Sequence, residues 1–157
     1  MSLLHPNAVV TSLSGIDLED LWRKGKRGII LDLDNTITPW HQDVLTQEAK
    51  DLVAQARALS YKIYLLSNAS HARTKRVAEQ LAVGFTAPGF KPLLRGYKIA
   101  LQKMGLPAEQ VIVIGDQIFT DVWGGNRAGC YTILVTPLEK TEFIGTKLMR
   151  LLELLIG

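Results

Sequence analysis

Two aspartates separated by a single leucine, Asp32-Leu33-Asp34, close the apolar run Gly28-Ile29-Ile30-Leu31 and lead into Asn35-Thr36. Paired carboxylates can act as nucleophile, as general acid and base, or as ligands of a hard cation, and buried strands seldom end in such a pair without cause. A helix N-cap with a neighbouring turn aspartate would account for one Asp or for Asn35, but not for the cluster.

Three further apolar runs end in polar groups. Lys62-Ile63-Tyr64-Leu65-Leu66 is followed by Ser67-Asn68, where a hydroxyl, an amide and helix-start N–H groups could grip an anion; Ser67 or Ser70 as a plain helix cap reads equally well. Lys91-Pro92 follows Gly89-Phe90 and offers a cation in a loop before a helix, a place where an isolated lysine is normally solvated. Val111-Ile112-Val113-Ile114 runs into Gly115-Asp116 and then Asp121, which could also serve as an acid in the first turn of a helix. Carboxylates gathered at one end of a sheet repel unless a cation joins them, and Mg²⁺ suits carboxylate, carbonyl and phosphate oxygens. His5, His41 and His71 are scattered without zinc spacing.

Positioning these groups requires strands. Segments 28–33, 62–66, 111–114 and 131–135 read as buried strands, with a weaker candidate at 83–86. Helical patterns lie between them at about 46–59, 71–82, 94–105 and 119–128, and Asp17 to Lys24 could form a short helix ended by Gly25. Strand and helix alternation predicts a parallel α/β sheet with flanking helices, and ligands then bind beyond the carboxyl ends of the strands. Gly105 and Gly129 fall where helices should stop. The basic cluster Arg23, Lys24, Lys26 and Arg27 enters the sheet at its opposite end, since Arg27 lies about 16 Å of extended chain before Asp32.

The 157 residues, 47% hydrophobic and 21% charged, suit one globular domain over 1–157. A net charge of +3 is compatible with acidic substrates without indicating a nucleic-acid binder. Cys130 is the single cysteine, so no internal disulfide forms; its apolar setting reads as core, and the usage fits a reducing cytoplasm. No apolar stretch approaches the roughly 20 residues that cross a bilayer, and Met1 to Val10 lacks the pattern of a secretion signal.

Asp32-Leu33-Asp34-Asn35-Thr36, Ser67, Lys91-Pro92 and Gly115-Asp116 with Asp121 resemble, in order, the four motifs of the haloacid dehalogenase superfamily. Asp-Asn-Thr, Gly-Asp-Gln-x-x-Thr-Asp and Gly-Gly-Asn-Arg-Ala-Gly at 124–129 are similar to subfamily IIIA, the YqeG-type group related to mitochondrial phosphatidylglycerophosphate phosphatases. The resemblance implies a Rossmann-like three-layer α/β/α fold and an Mg²⁺-dependent phosphomonoesterase. In that scheme Asp32 is the nucleophile that becomes an aspartyl-phosphate, and Asp34 is the acid and then base. Thr36, Ser67 and Lys91 bind the phosphoryl group; Asp32, Asp116 and the Asp34 carbonyl hold the metal; Asp121 acts through water or orients Lys91. Asn68 and Gln117 fit only supporting roles.

Thirty-two residues separate Asp34 from Ser67 and twenty-three separate Ser67 from Lys91, too few for an inserted cap domain. A capless mouth would admit a phosphate on a bulky body, and Trp40, His41, Ile118, Phe119 and Trp123 could rim it, although Phe119 and Trp123 read equally as core. Apolar residues recur at helical spacing over 143–156; a helix there would either pack on the core or lie on a membrane surface, being too short to span. Arg73, Lys75 and Arg76 read as a solvated helix face that could attract anionic head groups. The resemblance, together with an open and apolar mouth, implies phosphatidylglycerophosphate as the expected substrate, with peripheral contact at the inner membrane face. The same chemistry on a phosphoprotein, polynucleotide end or soluble metabolite is the alternative, and a phosphoacceptor signalling domain or partner-binding module is the non-enzymatic one.

Overall fold

A computed structural model describes residues 2–138; the helical pattern over 143–156 lies outside the described residues. The chain runs β1 (Ala8–Val10), α1 (Leu18–Arg23), β2 (Gly28–Leu31), α2 (Gln47–Ala58), β3 (Lys62–Leu66), α3 (His71–Leu81), β4 (Gly84–Thr86), α4 (Leu94–Met104), β5 (Val111–Gly115), α5 (Gly124–Ala128) and β6 (Tyr131–Val135). All strand pairs are parallel, in the order β1-β6-β5-β2-β3-β4.

Side chains of successive strand residues leave opposite faces of the sheet, so each apolar run feeds two cores. Ile29 and Leu31 join Leu52, Val53, Val77 and Leu81 beneath α2 and α3. Ile30 joins Tyr64, Leu66, Tyr97, Met104 and Val113 beneath α4. Cys130 is buried in this second core, where burial pushes its thiol up to about 12 and leaves it inert. Among the described residues, no helix is long and apolar enough to cross a membrane.

Thr46 caps α2 by accepting from the Ala49 N–H, and Ser70 caps α3 by accepting from the Arg73 N–H. Gly105 and Gly129 end α4 and α5 at φ of +67° and +89°, the left-handed geometry that favours glycine. At the sheet's entry end, Lys26 donates to the Glu109 carbonyl, while Arg27 donates to the Trp22 carbonyl and stacks on the Trp22 ring.

Two expectations are corrected. The anticipated helix over 119–128 is a π-turn, Ile118–Trp123, running into the short α5; the Val122 N–H reaches back five residues to the Gln117 carbonyl. A sixth strand, β1, is added at the edge, too short and too exposed for its periodicity to register. Tertiary contacts hold it there: Asn7 donates its N–H to the Thr132 carbonyl and accepts from the Thr132 N–H through its side chain, both at 2.9 Å. Asn7→Ala would strand the buried Thr132 N–H. It should cost about 1–3 kcal/mol in urea unfolding; an unchanged midpoint would show that the clasp contributes nothing.

Candidate active site

Sheet register brings the site together. Leu31 lies opposite Leu65 on one side and Ile114 on the other, so the residues just beyond those three strands emerge at nearly one level. Chain order reverses between β2 and β5, the crevice where open α/β sheets bind ligands.

Asp32 leaves β2 with its N–H on the Ile114 carbonyl. Leu33 is fully buried, and its carbonyl accepts from the N–H groups of Thr36, Ile37 and Thr38, coiling the chain into a tight turn through Asn35 at φ 62°. Asp32 and Asp34 thereby both reach the wall of a cavity of about 410 Å³, shared with Ser67, Lys91, Trp40 and Arg73.

Lys91 enters from the loop before α4. Asn68 fixes its backbone, accepting from the Lys91 N–H at 2.7 Å and donating to its carbonyl at 3.0 Å. The Lys91 ammonium then sits 2.8 Å from Asp32 Oδ1 and 2.6 Å from Asp121 Oδ1. Asp121 reaches this position because residue 115 is glycine: a Cβ there would fall 2.3 Å from the Asp121 carboxyl carbon. The Gln117 N–H donates to its other oxygen, and the Tyr97 hydroxyl braces the π-turn from below at the Thr120 carbonyl, 2.6 Å away. The buried Thr36 hydroxyl, expected at substrate phosphate, lies 3.2 Å from Asp32 Oδ2 and 3.3 Å from Asp116 Oδ1. Ser67 is buried at the end of β3, its hydroxyl accepting from the Ala69 N–H.

One carboxylate oxygen from each of Asp32, Asp116 and Asp121 lies within 4.8 Å of the others, with the Lys91 ammonium in contact with two of the three residues. Three carboxylates against one cation leave an excess of negative charge that a divalent ion fits, with Asp32 and Asp116 as hard oxygen donors while Asp121 keeps its oxygens on Lys91 and the Gln117 N–H. The Asp34 carboxylate stands apart from this group, 2.5 Å from an Arg73 nitrogen.

Arg73 is the site residue that sequence reasoning misplaced. It is not a solvated helix cation, because its side chain is only 12% exposed and lines the cavity. Arg76 is likewise paired, at 2.7 Å from Asp43, whose carboxyl it holds below the usual range. The available signal was position: three residues past the Ser70 cap, at the ligand end of the sheet. Trp40 and His41 form part of the cavity wall, whereas Phe119 and Trp123 stack on one another at 5.0 Å.

Burial first, then the carboxylates of Asp32 and Asp121, push Asp116 up to about 9. Burial and Asp32 also raise Asp121, against the pull of Lys91. Burial disfavours the Lys91 ammonium, yet Asp121 and Asp32 overcome it and hold the lysine charged. With divalent cations chelated, native Asp116 therefore keeps a proton that the unfolded chain gives up near about pH 4. Raising pH from about 4 to about 9 draws the equilibrium toward the unfolded state, so the melting temperature should fall across that window. Asp116→Asn should flatten the decline; an equally steep profile in the variant would assign it to other groups.

Comparison with known proteins agrees with this geometry. The sequence signature of the haloacid dehalogenase-like hydrolases matches residues 40–129, beginning just past Asp32 and Asp34. The Bacillus subtilis protein named "Probable phosphatase YqeG" is 34% identical over 148 residues, covering 94% of this chain and 86% of its own length. The Arabidopsis thaliana chloroplastic/mitochondrial phosphatidylglycerophosphate phosphatase 1 is 29% identical over 93% of this chain, which spans 45% of that relative. A D,D-heptose 1.7-bisphosphate phosphatase from B. bronchiseptica, solved with magnesium and phosphate, superimposes with a TM-score of 0.58 at 18% identity, covering 81% of this chain and 98% of that one. With its parallel sheet, its four polar strand ends and these relatives, the chain belongs to the haloacid dehalogenase-like hydrolases, as a phosphatase of the YqeG type.

Proposed function

We propose that this phosphatase works through an aspartyl-phosphate on Asp32 and that its substrate is phosphatidylglycerophosphate. The observation that carries the mechanism is the Asp32 carboxylate itself: held by Lys91 and Thr36 at the cavity wall, with Asp34 two residues on. Asp32 attacks phosphorus, the bond from phosphorus to the ester oxygen breaks, and Asp34 delivers a proton to the departing alcohol. Asp34 then takes a proton from water, which attacks the aspartyl-phosphate, releasing phosphate and regenerating Asp32. Lys91 offsets charge on the nucleophile and the phosphoryl group, and Ser67 and Thr36 offer hydroxyls to it. Mg²⁺ would be held by Asp32, Asp116 and the Asp34 carbonyl, and when bound it would neutralise charge on the phosphoryl oxygens. Asp121 holds Lys91 in register.

The lipid substrate rests on different support. Between the motif-bearing residues the described chain consists of the sheet's own helices, strands and connecting loops, in keeping with one capless domain over 1–157. Phe90 and Leu93, on either side of Lys91-Pro92, are 65% and 61% exposed. From Ala87 to Ala108 the chain carries Lys91, Arg95, Lys98 and Lys103 and no acidic residue. Apolar side chains beside the mouth, with basic groups behind them, suit an anionic lipid surface on the cytoplasmic side. The phosphatidylglycerophosphate phosphatases among the relatives support the same reading.

Phosphate release from phosphatidylglycerophosphate in detergent micelles, set beside a panel of soluble phosphomonoesters, tests both parts. The lipid should turn over selectively, chelation should stop it and Mg²⁺ should restore it, and Asp32→Asn should lose at least about 10³-fold. Turnover of soluble esters alone would remove the lipid; full activity in Asp32→Asn would remove the mechanism. Replacing Phe90 and Leu93 together by serine should lower turnover in anionic vesicles more than turnover of soluble esters, and equal losses would refute the docking rim.

A further inference from the structure

Arg73 lies in the cavity wall yet has no part in the reaction as written. Its guanidinium is engaged on several sides by the loop between β2 and α2. Nη1 lies 2.5 Å from Asp34 Oδ1, Nε 3.1 Å from Asp43 Oδ1, and Nη2 2.5 Å from the Gln42 carbonyl and 3.4 Å from the Thr38 hydroxyl. That loop has no regular helix or strand of its own between Leu31 and Gln47. Arg73, by contrast, belongs to the capped first turn of α3, a rigid element beside Ser67. Asp43 is fixed in turn by Arg76, so Arg76, Asp43, Arg73 and Asp34 form a chain of alternating charge from the exposed side of α3 into the cavity. The remaining hydrogen bond to the Asp34 side chain is a long one, from the His41 N–H at 3.4 Å.

We propose that Arg73 is the positioning residue for proton transfer: by gripping Asp34 Oδ1 from α3, it fixes Oδ2 as the oxygen that carries the proton and holds it in place. The inference rests on the reading of Asp34 as general acid. A planar fork with several fixed donors can set such an orientation, whereas a lysine ammonium supplies the charge without the geometry. Misplacing a reacting group by about 1 Å costs on the order of 10²-fold, comparable with the effect of a general acid.

Leaving-group dependence separates positioning from general loosening. An alkyl alcohol must be protonated as its bond to phosphorus breaks, while p-nitrophenolate departs as a stable anion. The parameter kcat/KM reports events through leaving-group departure and excludes the later hydrolysis of the aspartyl-phosphate. Wild type, Arg73→Gln, Arg73→Lys, Asp34→Asn and the Asp34→Asn/Arg73→Gln double variant are compared on p-nitrophenyl phosphate and on a simple alkyl phosphate, with thermal melts alongside.

Arg73→Gln should lose about 10²-fold on the alkyl ester and no more than a few-fold on the nitrophenyl ester. Arg73→Lys should shift the same ratio part of the way, and it carries the test if Arg73→Gln does not fold. The double variant should be no worse on the alkyl ester than Asp34→Asn alone, since both act through one group. Equal losses on the two esters in both Arg73 variants, with Asp34→Asn still selective, would overturn the positioning role and leave the mechanism standing. Absence of leaving-group selectivity in Asp34→Asn itself would overturn the reading of Asp34, and the inference with it.

Discussion

The arrangement turns on a buried ammonium. Lys91 is 7% exposed, a burial that water would oppose strongly for an isolated lysine, and it remains there because Asp32 and Asp121 surround its charge. The reverse is equally true: two carboxylates from different strand ends could not share so small a volume without that cation between them. Three features of the site serve this contact. Gly115 lacks a side chain so that Asp121 can enter, Tyr97 supports the turn bearing Asp121, and Asn68 fixes the backbone of Lys91 from both sides. Even so, one lysine does not balance three carboxylates. Asp116 is left at the edge of the balance, pushed toward its neutral form, and a divalent ion answers that excess better than protonation, because it leaves the carboxylates charged and ordered.

Sheet register converts that local balance into a catalytic geometry. Leu31, Leu65 and Ile114 share a level across three parallel strands, so Asp32, Ser67 and Asp116 arrive at the same edge without any long connection to place them. The two buried cores lock the register, since a one-residue slip of β2 would exchange Ile30 with Ile29 and Leu31 between faces packed against different helices. Stability of the core and precision of the site are in this sense one property.

Much of this was legible in the sequence, for a specific reason. Buried parallel strands are continuous apolar runs, and polar residues that end such runs stand out; that is why Asp32, Asp34, Ser67, Asp116 and Asp121 could be named from spacing together with family resemblance. Strand β1 escaped because three residues, the middle one exposed, are too few to show a period, and its place depends on Asn7 and Thr132, 125 residues apart. The π-turn escaped because a five-residue hydrogen bond leaves no repeat in a single turn. The contacts of the Thr36 hydroxyl, which lies between two carboxylates brought together by separate strands, are tertiary and leave no mark in the sequence.

Arg73 shows where periodicity stops being informative. A polar residue on the helix face away from the core reads as solvated, and Arg73, Lys75 and Arg76 read alike on that basis. What distinguishes Arg73 is the loop lying against it, thirty to thirty-nine residues earlier in the chain, whose Asp34, Thr38, Gln42 and Asp43 turn an ordinary helix cation into a fourfold clamp. In the proposed mechanism the reacting groups must be ordered in advance, and a mobile loop bearing the Asp34 carboxylate would undo that order. Anchoring the loop to the helix that begins beside Ser67 ties the Asp34 carboxylate to the same rigid frame as the Ser67 hydroxyl.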